Sequence, residues 1–212
     1  MSVQVQLRRD IYANVAANHG ATGEVFVDTT NQRLVVQDGA TLGGFPAPVT
    51  LTVQNSGSTN NSNTGSGAFV DMTPTFTIPA NFMIAARAFR VTAHFQITTG
   101  SGPPTIAFGL SLGTTAIYTS ASSNPAANLT NVQFAVQWIF QATQAPGAAA
   151  NVQCAATNQA NGVGATGVGL TAMPAAVATN ASQVLTIATE WATAGTGTTT
   201  IGLNQLIVEA LN

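Results

Sequence analysis

Between Arg90 and Glu190 the chain carries no Asp, Glu, Lys or Arg, and that stretch is nearly half of its 212 residues. Within it, apolar side chains return at every second position. Phe89, Val91, Ala93, Phe95 and Ile97 point one way, and Arg90, Thr92, His94, Gln96 and Thr98 the other. Val132, Phe134, Val136, Trp138 and Phe140 form a second stripe, and Leu185, Ile187 and Trp191 a third. A repeat of two is the strand repeat, and helical spacing is scarce. The last stripe runs through Ile201 and Leu203, then Leu206 and Val208; its phase slips near Asn204 and Gln205, as a β-bulge produces. Further strands are expected at Phe69–Met72, Thr75–Ile78, Thr105–Leu112, Thr115–Tyr118 and Val152–Ala156. Clusters such as TGSGPP, SASSNPAAN and QAPGAAA divide them. Eight or so antiparallel strands, each with one apolar face, predict two sheets packed face to face, a jelly-roll-like β-sandwich.

The faces opposite those stripes are Thr and Gln where a soluble domain ordinarily shows Lys and Glu. Charged residues are 6% of the chain, against roughly 25% in soluble domains. An amide or hydroxyl face meets water or packs on a sister subunit at modest desolvation cost, whereas a charged face does only the first cheaply. So little charge on a free monomer promotes association, and a permanent assembly is expected. A net charge of −2 and five arginines in all give no basic stripe, which argues against nucleic acid as a partner. No apolar run approaches the roughly 20 residues of a membrane helix, and MSVQVQLRRDIY lacks the apolar region of a secretory signal. Assembly in a cytoplasm is therefore expected. The single cysteine, Cys154 in NVQCAAT, excludes an intrachain disulfide framework and reads as a buried, inert thiol.

Three segments are expected. Residues 1–50 form a small glycine-punctuated module, with a short helical turn near 11–17. Residues 51–67, which include the wholly polar QNSGSTNNSNTGSG, read as a polar linker. Residues 68–212 form the sandwich.

The chemical motifs are thin. GVGATG at 162–167 matches the dinucleotide fingerprint letter for letter, but VGLTAMPAAVATN with Pro174 follows it where a helix is needed and its neighbours read as β throughout, so a loop between strands accounts for it better. A hydrolase triad would have to draw its base from His19 or His94; His94 falls mid-strand on a polar face with no acid nearby. Two distant histidines and one cysteine do not supply a zinc site. No catalytic residue, cofactor site or metal site is assigned. The sequons at Asn128 and Asn180 carry no weight without a secretory route.

The opening module carries the sharpest motif. QLRRDIYANVAANHGATGEVFVDTTNQRLVVQDGATLGGFP resembles the short N-terminal module of tailed-phage virion proteins named for the major tropism determinant, also found on tail and head fibres. The positions that carry the resemblance are Leu7, Arg8, Arg9, Gly23, Glu24, Val25, Val27, Asp28, Thr29, Arg33, Leu34, Val35, Asp38, Gly39, Gly43 and Gly44. The resemblance implies a virion structural protein and a homotrimer, with the module intertwined about a three-fold axis. A lone hairpin is marginal in water, and three copies sharing an axis can bury what one cannot. It makes Arg8, Arg9, Glu24, Asp28, Arg33 and Asp38 the candidate contacts within the trimer or to the capsid, with Arg8 or Arg9 able to pair with Glu24, Asp28 or Asp38. The remainder is similar in texture to the Thr/Ala/Gly-rich domains of phage fibre and capsid-decoration proteins. TIPAN at 77–81 and the closing LNQLIVEALN carry that likeness.

The full expectation is an all-β chain with a small N-terminal β-hairpin trimerisation module and a jelly-roll-like sandwich. Its implied role is a capsid decoration or cement protein whose partners are its own copies and the major capsid protein. The alternative is a short tail or head fibre whose knob binds a host surface glycan or protein, favoured by an aromatic patch on outer loops that includes Tyr118. A third reading, a glycan hydrolase, would have to use Asp71 and Glu190, the only acids of the central region.

Overall fold

The structure is a computed structural model that describes residues 8–17, 20–29, 33–37, 39–40, 45–46, 49–55, 59–61, 67–85, 87–159, 175–192 and 199–211. The GVGATG segment, His19 and Asp38 lie outside the described residues. The chain divides into two compact units, Met1–Val49 with Ala210–Asn212, and Thr50–Glu209. Among the described residues no helix is long and apolar enough to cross a membrane.

The first unit is a four-stranded sheet with one helical turn. Strands β1 (Arg8–Asp10), β2 (Val25–Asp28), β3 (Arg33–Val36) and β4 (Phe45–Pro46) lie in that order, and α1 (Tyr12–Ala16) follows β1. β2 and β3 form an antiparallel pair with Val25 opposite Val36 and Asp28 opposite Arg33. β1 lies parallel to β2, which the intervening helical turn makes possible, because a tight turn can join only antiparallel strands.

The second unit is the sandwich. Strands β5 (Val49–Asn55), β6 (Thr59–Asn61), β7 (Phe69–Ile78), β8 (Ala88–Thr98), β9 (Ile106–Leu112), β10 (Thr115–Thr119), β11 (Val132–Ala142), β12 (Ala150–Gln159), β13 (Ala175–Val177), β14 (Gln183–Trp191) and β15 (Thr200–Ala210) follow in chain order. One sheet is ordered β10-β9-β14-β7; the other runs β13-β12-β11-β8-β15-β5, with β6 also paired to β15. The all-β sandwich expected from the alternation is what the chain forms.

The stripes meet between the two sheets. Phe89, Val91, Ala93, Phe95 and Ile97 are all fully buried, as are Trp138, Ile201, Leu203, Leu206 and Val208. On β15 the buried positions jump from Leu203 to Leu206, the phase slip read near Asn204. Directly opposed aromatics stack across β8 and β11. Phe89 faces Phe140 with centroids 5.0 Å apart, and Phe95 faces Phe134 at 5.4 Å. Phe108 of β9 reaches into that pair from the other sheet, 5.3 Å from Phe95 and 5.9 Å from Phe134. Such cross-strand and inter-sheet ring contacts set the register and the spacing of the layers together. Arg87 is buried beside them, its Nη1 donating to the Phe82 carbonyl oxygen at 2.9 Å and its guanidinium 4.4 Å from the Phe82 ring centroid.

The polar segment departs from expectation. Residues 51–55, read as the start of a linker, belong to β5, and 59–61 form β6; both pair with β15. Val49, Leu51 and Val53 alternate just ahead of the polar run, which is the strand signal. A ladder is made by backbone N–H and C=O groups, so even Thr59-Asn60-Asn61 can add a strand to β15.

Candidate functional site

Among the described residues of the N-terminal module, the buried apolar cluster is Val15, Phe26 and Val35, one residue from α1 and one from each hairpin strand. Gly20 lies against it: a Cβ there would stand 2.5 Å from Gln37 Cγ and 2.9 Å from Phe26 Cε2, so a larger residue would have to displace these side chains. The Gly20 N–H donates to Gln37 Oε1 at 3.2 Å, and the Gln37 Nε2 is buried without a partner among the described residues. On the outside, Ile11, Leu34 and Val36 stay 39–52% exposed. The hairpin thus shows apolar side chains on both faces, one sealed and one open.

The candidate contact residues fall in different places. Asp28 is fully buried, and Arg33 across the hairpin donates from Nε to Asp28 Oδ2 at 3.2 Å. Arg33, a residue of the same hairpin, is thus one partner of Asp28. Glu24 is half-buried and its Oε2 accepts from the Ala21 N–H at 3.0 Å, so it closes the turn before β2. Arg9 is exposed on β1. Arg8 is on β1 as well, in register with Phe26.

Two outward surfaces belong to the sandwich. On the seven-stranded sheet, Gln133 faces Gln96, Ala135 faces His94, Gln137 faces Thr92 and Gln141 faces Gln153. The Gln137 Nε2 donates to Thr92 Oγ1 at 3.3 Å. Its ion pair is Arg90 Nε to Glu209 Oε2 at 2.7 Å, a hydrogen bond and charge that hold the guanidinium above its usual pKa. Exposed His94 sits within this amide and hydroxyl face, and Ile139, opposite Arg90, is 44% exposed.

On the four-stranded sheet the outward side is a trough of about 310 Å³ floored by small residues, Gly109, Ala116 and Ala188, with Phe69 and Asp71 along one side. Ala188 stands opposite Asp71 on β7 and opposite Gly109 on β9. Glu190 faces Phe69, so Asp71 and Glu190 share this side on adjacent strands as diagonal neighbours. Tyr118 does not serve as an outer aromatic. Its side chain is fully buried and meets Trp138 edge-on, with centroids 6.4 Å apart. Burial, and then the charge of Cys154, push its hydroxyl up to about 12. Cys154 is buried as expected, and burial pushes its thiol to about 12 as well.

Comparison with known proteins bears on the module. Residues 5–41 match the major tropism determinant N-terminal domain. The match covers the Leu-Arg-Arg start, the Gly-Glu strand and the Arg-Leu strand quoted above. Over these residues the chain is similar to that domain. No curated protein matches the chain. Among solved structures, a chain of infectious bursal disease virus, Gx strain, is 11% identical with a TM-score of 0.34, covering 79% of this chain and 33% of its own. The VP2 subviral particle of that virus gives 10% identity and a TM-score of 0.32, covering 78% of this chain and 32% of its own. The alginate lyase Aly36B mutant is 9% identical with a TM-score of 0.31, covering 74% of this chain and 99% of its own. The chain spans about a third of the length of the viral chains it matches.

Within the N-terminal module the Asp28–Arg33 pair is the sharpest point to test. A hydrogen bond to a charged group contributes about 1.5–3 kcal/mol. Asp28→Ala is expected to cost the domain about 2 kcal/mol, lowering amide-exchange protection at Val27 and Leu34 roughly 30-fold while leaving the β8 and β11 amides unchanged. Equal loss in both units would show that the two unfold as one.

Proposed function

We propose that the protein is a homotrimeric capsid decoration protein that binds the assembled head and stabilises it. The observation that carries this is the division of the chain: the sandwich unit begins at Thr50, the residue after the module's Val49. A fibre that meets a host needs reach, whereas a protein that cements neighbouring capsid subunits needs breadth. The open apolar side chains of the module, Ile11, Leu34 and Val36, are surface that sister copies would cover. The Gln and Thr face of the larger sheet is one that a subunit or a capsid can cover without burying unpaired charge. Binding the shell and not its free subunits stabilises the shell by mass action.

Two measurements test this. Native mass spectrometry is expected to give three times the 21.5 kDa chain. Quantitative mass spectrometry of purified virions is expected to find a copy number within a few-fold of the major capsid protein. A copy number of a few per cent would move the chain to a vertex or the tail and make host binding the better reading. Absence from the virion would overturn both.

A further inference from the structure

We propose that the outward trough of the four-stranded sheet is a binding site for a neutral, hydroxyl-rich saccharide, seated on the Phe69 ring beside Asp71. This goes beyond the decoration role and does not rest on it, because it concerns one face of the sandwich wherever the trimer is placed.

The trough exists because of residue sizes. Sheet faces are ordinarily filled by side chains standing out from them. Here β9, β10 and β14 present Gly109, Ala116 and Ala188, and the missing side chains are the cavity. Phe69 starts from the edge strand β7, and its ring reaches across β14 to Gly109. A Cβ at Gly109 would lie 3.2 Å from Phe69 Cε1, tighter than side-chain contacts normally allow, so glycine is what lets the ring come this close. Although packed there, Phe69 remains 38% exposed. An aromatic ring packed in place yet part-open to water is a platform, and the electron-rich face of such a ring attracts the weakly positive C–H edges of a sugar ring.

The polar groups around the platform set the class of ligand. Asp71 is an exposed acceptor on the trough wall, and Ser111, Thr114 and Thr119 add hydroxyls that both donate and accept. Glu190 adds a second negative charge on the same side of the sheet. Among the described residues no cation lines the trough. Of the sandwich's arginines, Arg87 is buried against Phe82 and Arg90 is paired with Glu209 on the other sheet. Acidic saccharides would thus meet repulsion with nothing to answer it, whereas a neutral polyol finds acceptors, hydroxyls and a stacking face. The volume, at the low end of the roughly 300–1,000 Å³ of small-molecule clefts, suits a short saccharide.

The test is saturation-transfer NMR and calorimetry on the full chain, with maltotriose, chitotriose and methyl β-galactoside as neutral probes. Trigalacturonate is the acidic control and tetramethylammonium the cationic one. At least one neutral probe is expected to bind with Kd on the order of 1 mM. Phe69→Ala is expected to weaken that binding at least about tenfold, and Asp71→Asn about fivefold. Asp71 is exposed, so its variant reports on the site even if Phe69→Ala folds poorly. The proposal is overturned if no neutral probe binds, if both variants bind as well as the parent, or if trigalacturonate or tetramethylammonium binds more tightly than every sugar.

Discussion

Replacing Phe95 with alanine is expected to remove about 3–5 kcal/mol from the stability of the sandwich, a large share of the roughly 5–15 kcal/mol that holds a typical domain together. Phe95 is fully buried and sits at a three-ring junction with Phe134 of its own sheet and Phe108 of the other. All three come from strands with neighbours on both sides, β8, β11 and β9. Central strands are held by ladders on each edge, so they cannot collapse into the space a lost ring leaves, and an open cavity raises the cost above the transfer term. The check is the urea midpoint of the variant. Phe95→Leu keeps most of the volume and is expected to cost less than about 1.5 kcal/mol. Gln96→Ala, on the opposite face, is expected to stay within about 0.5 kcal/mol. A loss below about 1 kcal/mol for Phe95→Ala would show that the ring junction does not join the sheets.

Alkali should unfold the sandwich well before it titrates every tyrosine of the native protein. Tyr118 and Cys154 are both neutral when protonated, and burial raises each to about 12 from ordinary values of 10.0 and 9.0. The unfolded chain therefore releases these protons first. Between about pH 9 and pH 12 it binds fewer protons than the native state, and stability falls as pH rises. It is fully present below about pH 9. Each group contributes a slope of roughly 1.4 kcal/mol per pH unit while it is ionised only in the unfolded chain. Urea midpoints measured from pH 8 to pH 11.5 are expected to drop steeply above pH 9. Cys154→Ser is expected to flatten the first part of that fall and Tyr118→Phe the later part. A flat midpoint to pH 11 would mean that the two groups are hydrated in the native state.

The stripe on β8 was legible because a strand's repeat of two is written directly in adjacent residues, and all five of its apolar positions are in the core. The slip at Asn204 was legible for the same reason. Less of the candidate site could be read. Leu-Arg-Arg, Gly-Glu and Asp-Thr marked the module by their spacing, but not that Asp28 is enclosed and answered by Arg33. Tyr118 stands beside turn residues, which suggested an outer loop. The irregular register between Ala116 and Tyr118 instead places it opposite Leu110, on the buried side of β10. The trough had no signal at all: Phe69, Gly109 and Ala188 are far apart in the chain and each is ordinary where it stands.

Local repeats depend on neighbours along the chain, so the sequence by itself determined the β class, the buried faces and the low charge of the surface. Strand order and register depend on which backbone edges find each other across long loops, and on which side chains then fit between the sheets. Only that tertiary pairing decided that β5 and β6 join β15 rather than link two domains, that Asp28 faces Arg33, and that a phenylalanine from β7 reaches over a glycine of β9 beside a carboxylate.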